Sequence, residues 1–87
     1  MKTALIVFSS QISGTRLKNL TQRARINDVR ITQTPTSIKQ DGCSYSLRVN
    51  LADLENILSL AMRYRISYTA VYKEEKDLSG NTIYAKI

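Results

Sequence analysis

The sequence has no histidine and no tryptophan, and only one cysteine, one proline and three glycines in 87 residues. Without histidine there is no Ser-His or Cys-His nucleophile pair and no His-ligated metal site. A single cysteine excludes an intrachain disulfide and points to a reducing, cytoplasmic setting. Gly14, Gly42 and Gly80 lie too far apart to form a P-loop or a dinucleotide-binding fingerprint. No run approaches the ~20 apolar residues that a membrane span needs, and the N-terminus lacks the apolar segment of a signal peptide. Neither membrane association nor export is therefore expected. Carboxylate chemistry is thin as well. Asp53 and Glu55 are two apart and diverge on a helix, while Glu74, Glu75 and Asp77 read as a solvated run, so no general acid–base pair emerges. The expectation is a protein that is not a conventional enzyme and uses no metal or cofactor.

What is present is a moderately apolar, basic chain. Its 43% hydrophobic content suits one small folded domain. Thirteen Lys and Arg against seven Asp and Glu leave a net charge of +6, which favours phosphate-bearing or acidic partners. The bases cluster: Arg16, Lys18, Arg23, Arg25 and Arg30 follow Gly14, with Asp28 the one acid among them.

The hydrophobic pattern divides the chain into alternating elements. Residues 3–8 are a short apolar run of strand formers, fitting a central strand covered on both faces. Ser9 or Ser10 can cap a helix in which Ile12, Leu17, Leu20 and Ala24 recur at helical spacing. Gly14 inside that helix has two readings, a close helix–sheet contact that leaves no room for a side chain or a frayed helix, with the close contact the preferred one. Asn27-Asp28 marks a turn, Val29 to Gln33 alternates as a strand, and Pro35 ends it. Tyr45, Leu47 and Val49 alternate with polar residues in a further strand. Asn50 reads as the N-cap of a second helix, with Leu51, Leu54, Leu58, Ala61 and Met62 as its apolar stripe. Ile66 to Tyr72 is β-branched and aromatic, and Ser79-Gly80-Asn81 can turn the tail back as a hairpin strand. The order β-α-β-β-α-β predicts an α+β fold, a ferredoxin-like two-layer sandwich with an antiparallel sheet and an extra C-terminal strand. Residues 1–73 form the domain in this reading, and residues 74–87 a C-terminal extension.

Cys43 is the one residue with nucleophilic character. It lies where a loop meets a strand, between Gly42 and Ser44, both small enough to admit another molecule. Lys39 in the same loop and Arg48 in the following strand are candidates to favour its thiolate. A lone thiol without a base suits holding a transferred group more than multistep catalysis. Cysteine is also among the most buried residue types, and Cys43 shares parity with Tyr45, Leu47 and Val49, so the residues alone favour a packing role over a reactive one.

The strings Leu5-Ile-Val-Phe-Ser-Ser10, Thr34-Pro35, Gly42-Cys43-Ser44-Tyr45-Ser46-Leu47-Arg48-Val49, Asp53-Leu54-Glu55 and Ile66-Ser-Tyr68 to Val71-Tyr72 resemble the DUF3343 family of selenium/sulfur carrier-like proteins. The resemblance covers roughly residues 3–73 and is most specific from Cys43 to Arg48. It implies a bacterial, cytoplasmic protein of sulfur or selenium trafficking. Cys43 would be the chalcogen acceptor and Gly42, Ser44, Lys39 and Arg48 its surroundings. Donor and acceptor proteins would be its partners.

Two other function classes compete. A dimerising regulatory or interaction module would use the sheet face that two helices leave uncovered, with Tyr45, Tyr68 and Tyr72 as cover for a partner or a second copy. A nucleic-acid-binding module draws on five tyrosines and the basic first helix. Against it, the aromatic signature of RNA-recognition sheets is missing, and the bases do not interleave with the tyrosines.

Overall fold

A computed structural model describes residues 2–35, 38 and 45–87. Strands β1 (Thr3–Phe8), β2 (Arg30–Gln33), β3 (Tyr45–Asn50), β4 (Ala70–Lys76) and β5 (Thr82–Lys86) form one sheet in the order β2-β3-β1-β4-β5. Every neighbouring pair is antiparallel. Helix α1 (Gln11–Arg23) follows β1, and helix α2 (Leu54–Arg63) follows β3 through a 3-10 turn at Leu51–Asp53. The result is an α+β domain with a five-stranded antiparallel sheet and two helices, compatible with a ferredoxin-like sandwich.

The apolar run Thr3–Phe8 occupies the middle of the sheet, and Ala4, Leu5, Ile6 and Phe8 are fully buried. Ala4, Ile6 and Phe8 share one face with Leu47 and Val49 of β3 and Val71 of β4, their register partners or near neighbours. Leu17 of α1 and Leu54, Ile57 and Ala61 of α2 join these residues in a single apolar core. Both helices therefore bury their faces against the same side of the sheet.

The helix phases differ from the hydrophobicity reading. Ile12 and Met62 are 74% and 81% exposed, and the buried stripes are Gly14, Leu17 and Thr21 in α1 and Leu54, Ile57 and Ala61 in α2. Gly14 is the seat of the close contact. A Cβ built there would overlap the Tyr45 ring and come within 3.3 Å of Phe8. Thr21 satisfies its buried hydroxyl on the Lys18 carbonyl at 2.6 Å, which lets a polar residue take a core position.

Ser10 caps α1, its Oγ accepting from the Ser13 amide at 3.3 Å. Asn50 makes no such cap: its side chain donates to Asp28 at 3.5 Å instead, because a 3-10 turn intervenes before α2. Both helices end alike. The Ile26 amide donates to Thr21 and the Arg25 amide to Gln22; the Ile66 amide donates to Ala61 and the Arg65 amide to Met62. This 6→1 and 5→2 pairing is the Schellman motif, with Arg25 and Arg65 in its left-handed position at φ 59° and 55°. Ile66 thus closes a helix and does not open a strand, so β4 starts at Ala70 and runs through Lys73 to Lys76. A turn in which Asp77 Oδ1 accepts from the Ser79 and Asn81 amides, with Gly80 at φ 85°, returns the chain into β5.

Candidate functional site

Cys43, with Gly42, Ser44 and Lys39, lies outside the described residues; the described fold provides the frame on which that segment begins and ends. Strand β2 terminates at Gln33, whose register partner is Tyr45, the first residue of β3. Immediately beyond, Thr34 and Ser46 are both buried and joined hydroxyl to hydroxyl at 2.5 Å. The segment carrying Cys43 thus leaves and rejoins the sheet at a closed, hydrogen-bonded junction.

Tyr45, two residues after Cys43, is held on three sides. Its ring meets Phe8 edge-on, with centroids 6.5 Å apart and planes at 67°. Its flank lies against Gly14, and its hydroxyl is 3.3 Å from Thr15 Oγ1. Tyr45 consequently faces the helices. Of the three tyrosines expected to cover the open side of the sheet, only Tyr72 does so. Tyr68 precedes β4 in a loop.

Arg48 is the one described member of the predicted site, and it belongs to the opposite face. There, in-register residues from all five strands make the row Arg30, Arg48, Leu5, Tyr72 and Lys86. Leu5 is fully buried although no helix covers it. On a helix-free face only same-face neighbours can cover a side chain, so the stem of Arg48 and the ring of Tyr72 roof it. The Arg48 guanidinium reaches diagonally over β1 to Glu74 of β4. Nε donates to Oε1 at 2.9 Å and a terminal nitrogen to Oε2 at 3.2 Å, a bidentate fork. Thr3 Oγ1 donates to the same Glu74 Oε1 at 2.6 Å, and Tyr84 faces Glu74 across the β4–β5 pairing.

The Glu74 side chain is 9% exposed and that of Arg48 41%. Burial alone would push the Glu74 carboxyl up. The hydrogen bonds from Arg48 and Thr3 and the attraction of the guanidinium outweigh it, and the group sits below the usual glutamate value of 4.5. The bond to Glu74 raises Arg48, which stays charged throughout. Tyr84 is raised by burial first and then by the negative charge of Glu74. Arg48 thus spends its charge on Glu74, and the pair is a neutral clamp over Leu5.

Residues 74–77 are not uniformly the solvated run that their charge suggests, because Glu74 is held by Arg48 and Thr3. The signal was present: strand periodicity carried past Tyr72 puts Glu74 on the face of Tyr72, and Arg48 falls on that face by its own parity. Glu75 alone behaves as expected for surface charge, pairing with Lys73 at 3.0 Å and drawn slightly down by it. Among the described residues no group of three or more His, Cys, Asp or Glu could hold a metal ion. Among them, too, no helix is long and apolar enough to cross a membrane.

Comparison with known proteins gives one match. The family model described as "Putative Se/S carrier protein-like" aligns with residues 3–73, a span that contains β1 to β3, both helices, Cys43 and the first half of β4. No curated protein and no solved structure matches.

Proposed function

Because the chain belongs to the family described as "Putative Se/S carrier protein-like", we propose that it carries sulfur or selenium as a persulfide-type group on Cys43. The family match carries this reading, since Cys43 lies within the matched span and is the chain's one thiol. In the loading step the Cys43 thiolate attacks the outer sulfur of a donor persulfide. A new S–S bond forms at Cys43, the donor's S–S bond breaks, and the donor departs as a thiolate. The sulfane sulfur changes owner without net oxidation. Delivery is the same step run toward an acceptor thiolate, and for selenium the carried group is a selenopersulfide. No general base is needed once the thiolate is populated, in keeping with a cytoplasmic, non-enzymatic carrier that uses no cofactor and meets donor and acceptor proteins.

The described frame supports the reading. Tyr45 is fixed against Gly14 and Thr15 of α1, so β3 begins at a rigid point two residues after Cys43. Lys39, Gly42 and Ser44 supply charge and access in this proposal, while Arg48 acts on the sheet through Glu74. The strand order β2-β3-β1-β4-β5 is compatible with a ferredoxin-like sandwich.

The test is intact-protein mass spectrometry after incubation with a cysteine desulfurase and cysteine. The native chain is expected to gain the mass of one sulfur atom, removable by a reductant, and Cys43→Ala to gain none. Absence of the adduct on the native chain, or equal labelling of Cys43→Ala, overturns the proposal.

A further inference from the structure

The two helices present one surface twice. Counting forty positions on from α1 to α2, the buried stripe Gly14, Leu17, Thr21 maps onto Leu54, Ile57, Ala61. The left-handed Arg25 maps onto Arg65, and Ile26 onto Ile66. The outward faces repeat as well. From α1, Arg16, Asn19, Leu20 and Arg23 line a depression that Tyr64 completes. From α2, the corresponding Asn56, Ser59, Leu60 and Arg63 line a second, completed by Ala24 and Ile26. Both lie along the seam between the helices.

Bases outnumber acids on this layer, where Asp53 and Glu55 are the acids at the start of α2. Arg16, Lys18, Arg23, Arg25, Arg63 and Arg65 all belong to the layer, and among the described residues none makes an ion pair. The only two pairs there are Arg48–Glu74 and Lys73–Glu75. Five of the six are arginines, whose planar fork matches carboxylates two bonds at a time. Between them Leu20 and Leu60 are half-buried, giving the seam an apolar floor with amide and hydroxyl side chains beside it.

We infer that the α1–α2 seam is a docking surface for an acidic, amphipathic segment of a partner protein. Its carboxylates meet Arg16, Arg23 and Arg63, and its apolar side chains rest on Leu20 and Leu60. An apolar floor ringed by arginines and a tyrosine is the composition of a protein interface. A single-stranded nucleic-acid surface would add stacking aromatics along a phosphate track, and Tyr64 is the one aromatic lining these depressions. The surface stands on the helices alone and does not depend on the chemistry of Cys43, so the persulfide experiment and this one can fail separately.

The probe is a synthetic peptide with glutamate and leucine at helical spacing, titrated into the isotope-labelled full chain. A version with serine for leucine and an oligouridylate of equal charge serve as comparisons. Amide shifts are expected to centre on residues 16–24 and 56–64. The serine peptide and the oligouridylate should bind more weakly than the leucine peptide. The double variant Arg23→Glu/Arg63→Glu should weaken binding by about tenfold or more. Arg23→Gln/Arg63→Gln, a milder change in exposed last-turn positions, should weaken it in the same direction if the reversal perturbs folding. Tighter binding of the oligouridylate, shifts mapping to the sheet, or an equal loss on Arg30→Glu, which lies on the sheet face away from the helices, overturns the inference.

Discussion

Replacing Gly14 with alanine sets two known effects against each other. In an open helix the change stabilises by roughly 1 kcal/mol, because alanine loses less backbone entropy on folding. In α1 the new methyl would occupy the space of the Tyr45 ring and crowd Phe8 at 3.3 Å. Overpacking of this kind costs about 1–3 kcal/mol, and the ring cannot swing aside without leaving its edge contact with Phe8 and its hydroxyl contact with Thr15. The net expectation for Gly14→Ala is a loss of about 0–2 kcal/mol, a Tm fall of up to roughly 16 °C for a domain of this size. Urea denaturation followed by far-UV circular dichroism reads it. A double-mutant cycle isolates the cause: in a Tyr45→Val background the ring is gone, and Gly14→Ala should turn neutral or stabilising, giving a coupling of about 1–3 kcal/mol. A stabilised Gly14→Ala single variant, or a coupling near zero, refutes the reasoning that Tyr45 is anchored through Gly14.

Three further outcomes follow from the sheet and the helix ends. Glu74 has a lowered pKa in the fold, so its contribution is complete above the unfolded value near 4.5 and fades as pH falls through the folded value. Glu74→Gln should lower stability at neutral pH by about 1–2 kcal/mol, discounted for the partly exposed Arg48, and should flatten the acid limb of the stability–pH curve. Ser46→Ala leaves the Thr34 hydroxyl buried without its partner and should cost about 1–3 kcal/mol. Thr34→Val/Ser46→Ala removes both groups and should recover most of that loss in the same denaturation assay. Arg25→Gly and Arg65→Gly relieve the left-handed backbone of its Cβ clash, and each should raise stability by about 0.5–1 kcal/mol in thermal melts.

Where a single physical cause dominated, the sequence could be read correctly. Thr3–Phe8 is a strand as expected because a nearly continuous apolar run rich in strand formers fits a central position. Pro35 halts β2 because it cannot donate to a ladder, and of the two readings of Gly14 the close contact is the one found. The errors arose where hydrophobicity competed with helix phase. Ile12 stands five residues before Leu17 and Met62 five after Ile57, about 140° away around the helix, so both point outward once the stripe is set by the seat on the sheet. The second error was at Arg65. A non-glycine residue in the left-handed cap position gives no sequence signal, and without it Ile66 looks like the start of a strand.

That one boundary governs how the candidate site is read. A strand ending at Tyr72 leaves Glu74 in solvent and Arg48 free to favour a thiolate. A strand running to Lys76 brings Glu74 under the reach of Arg48, and a bidentate bond over β1 then consumes the guanidinium's charge. The residue types were legible, but their pairing depended on a register that only tertiary structure supplies. Under the carrier reading, Arg48 is therefore not the group that stabilises the thiolate of Cys43. Accordingly, Glu74→Gln should leave the rate of thiol alkylation at Cys43 unchanged while lowering stability. A clear acceleration in the folded protein would show that Arg48, once released from its carboxylate, acts on the sulfur after all.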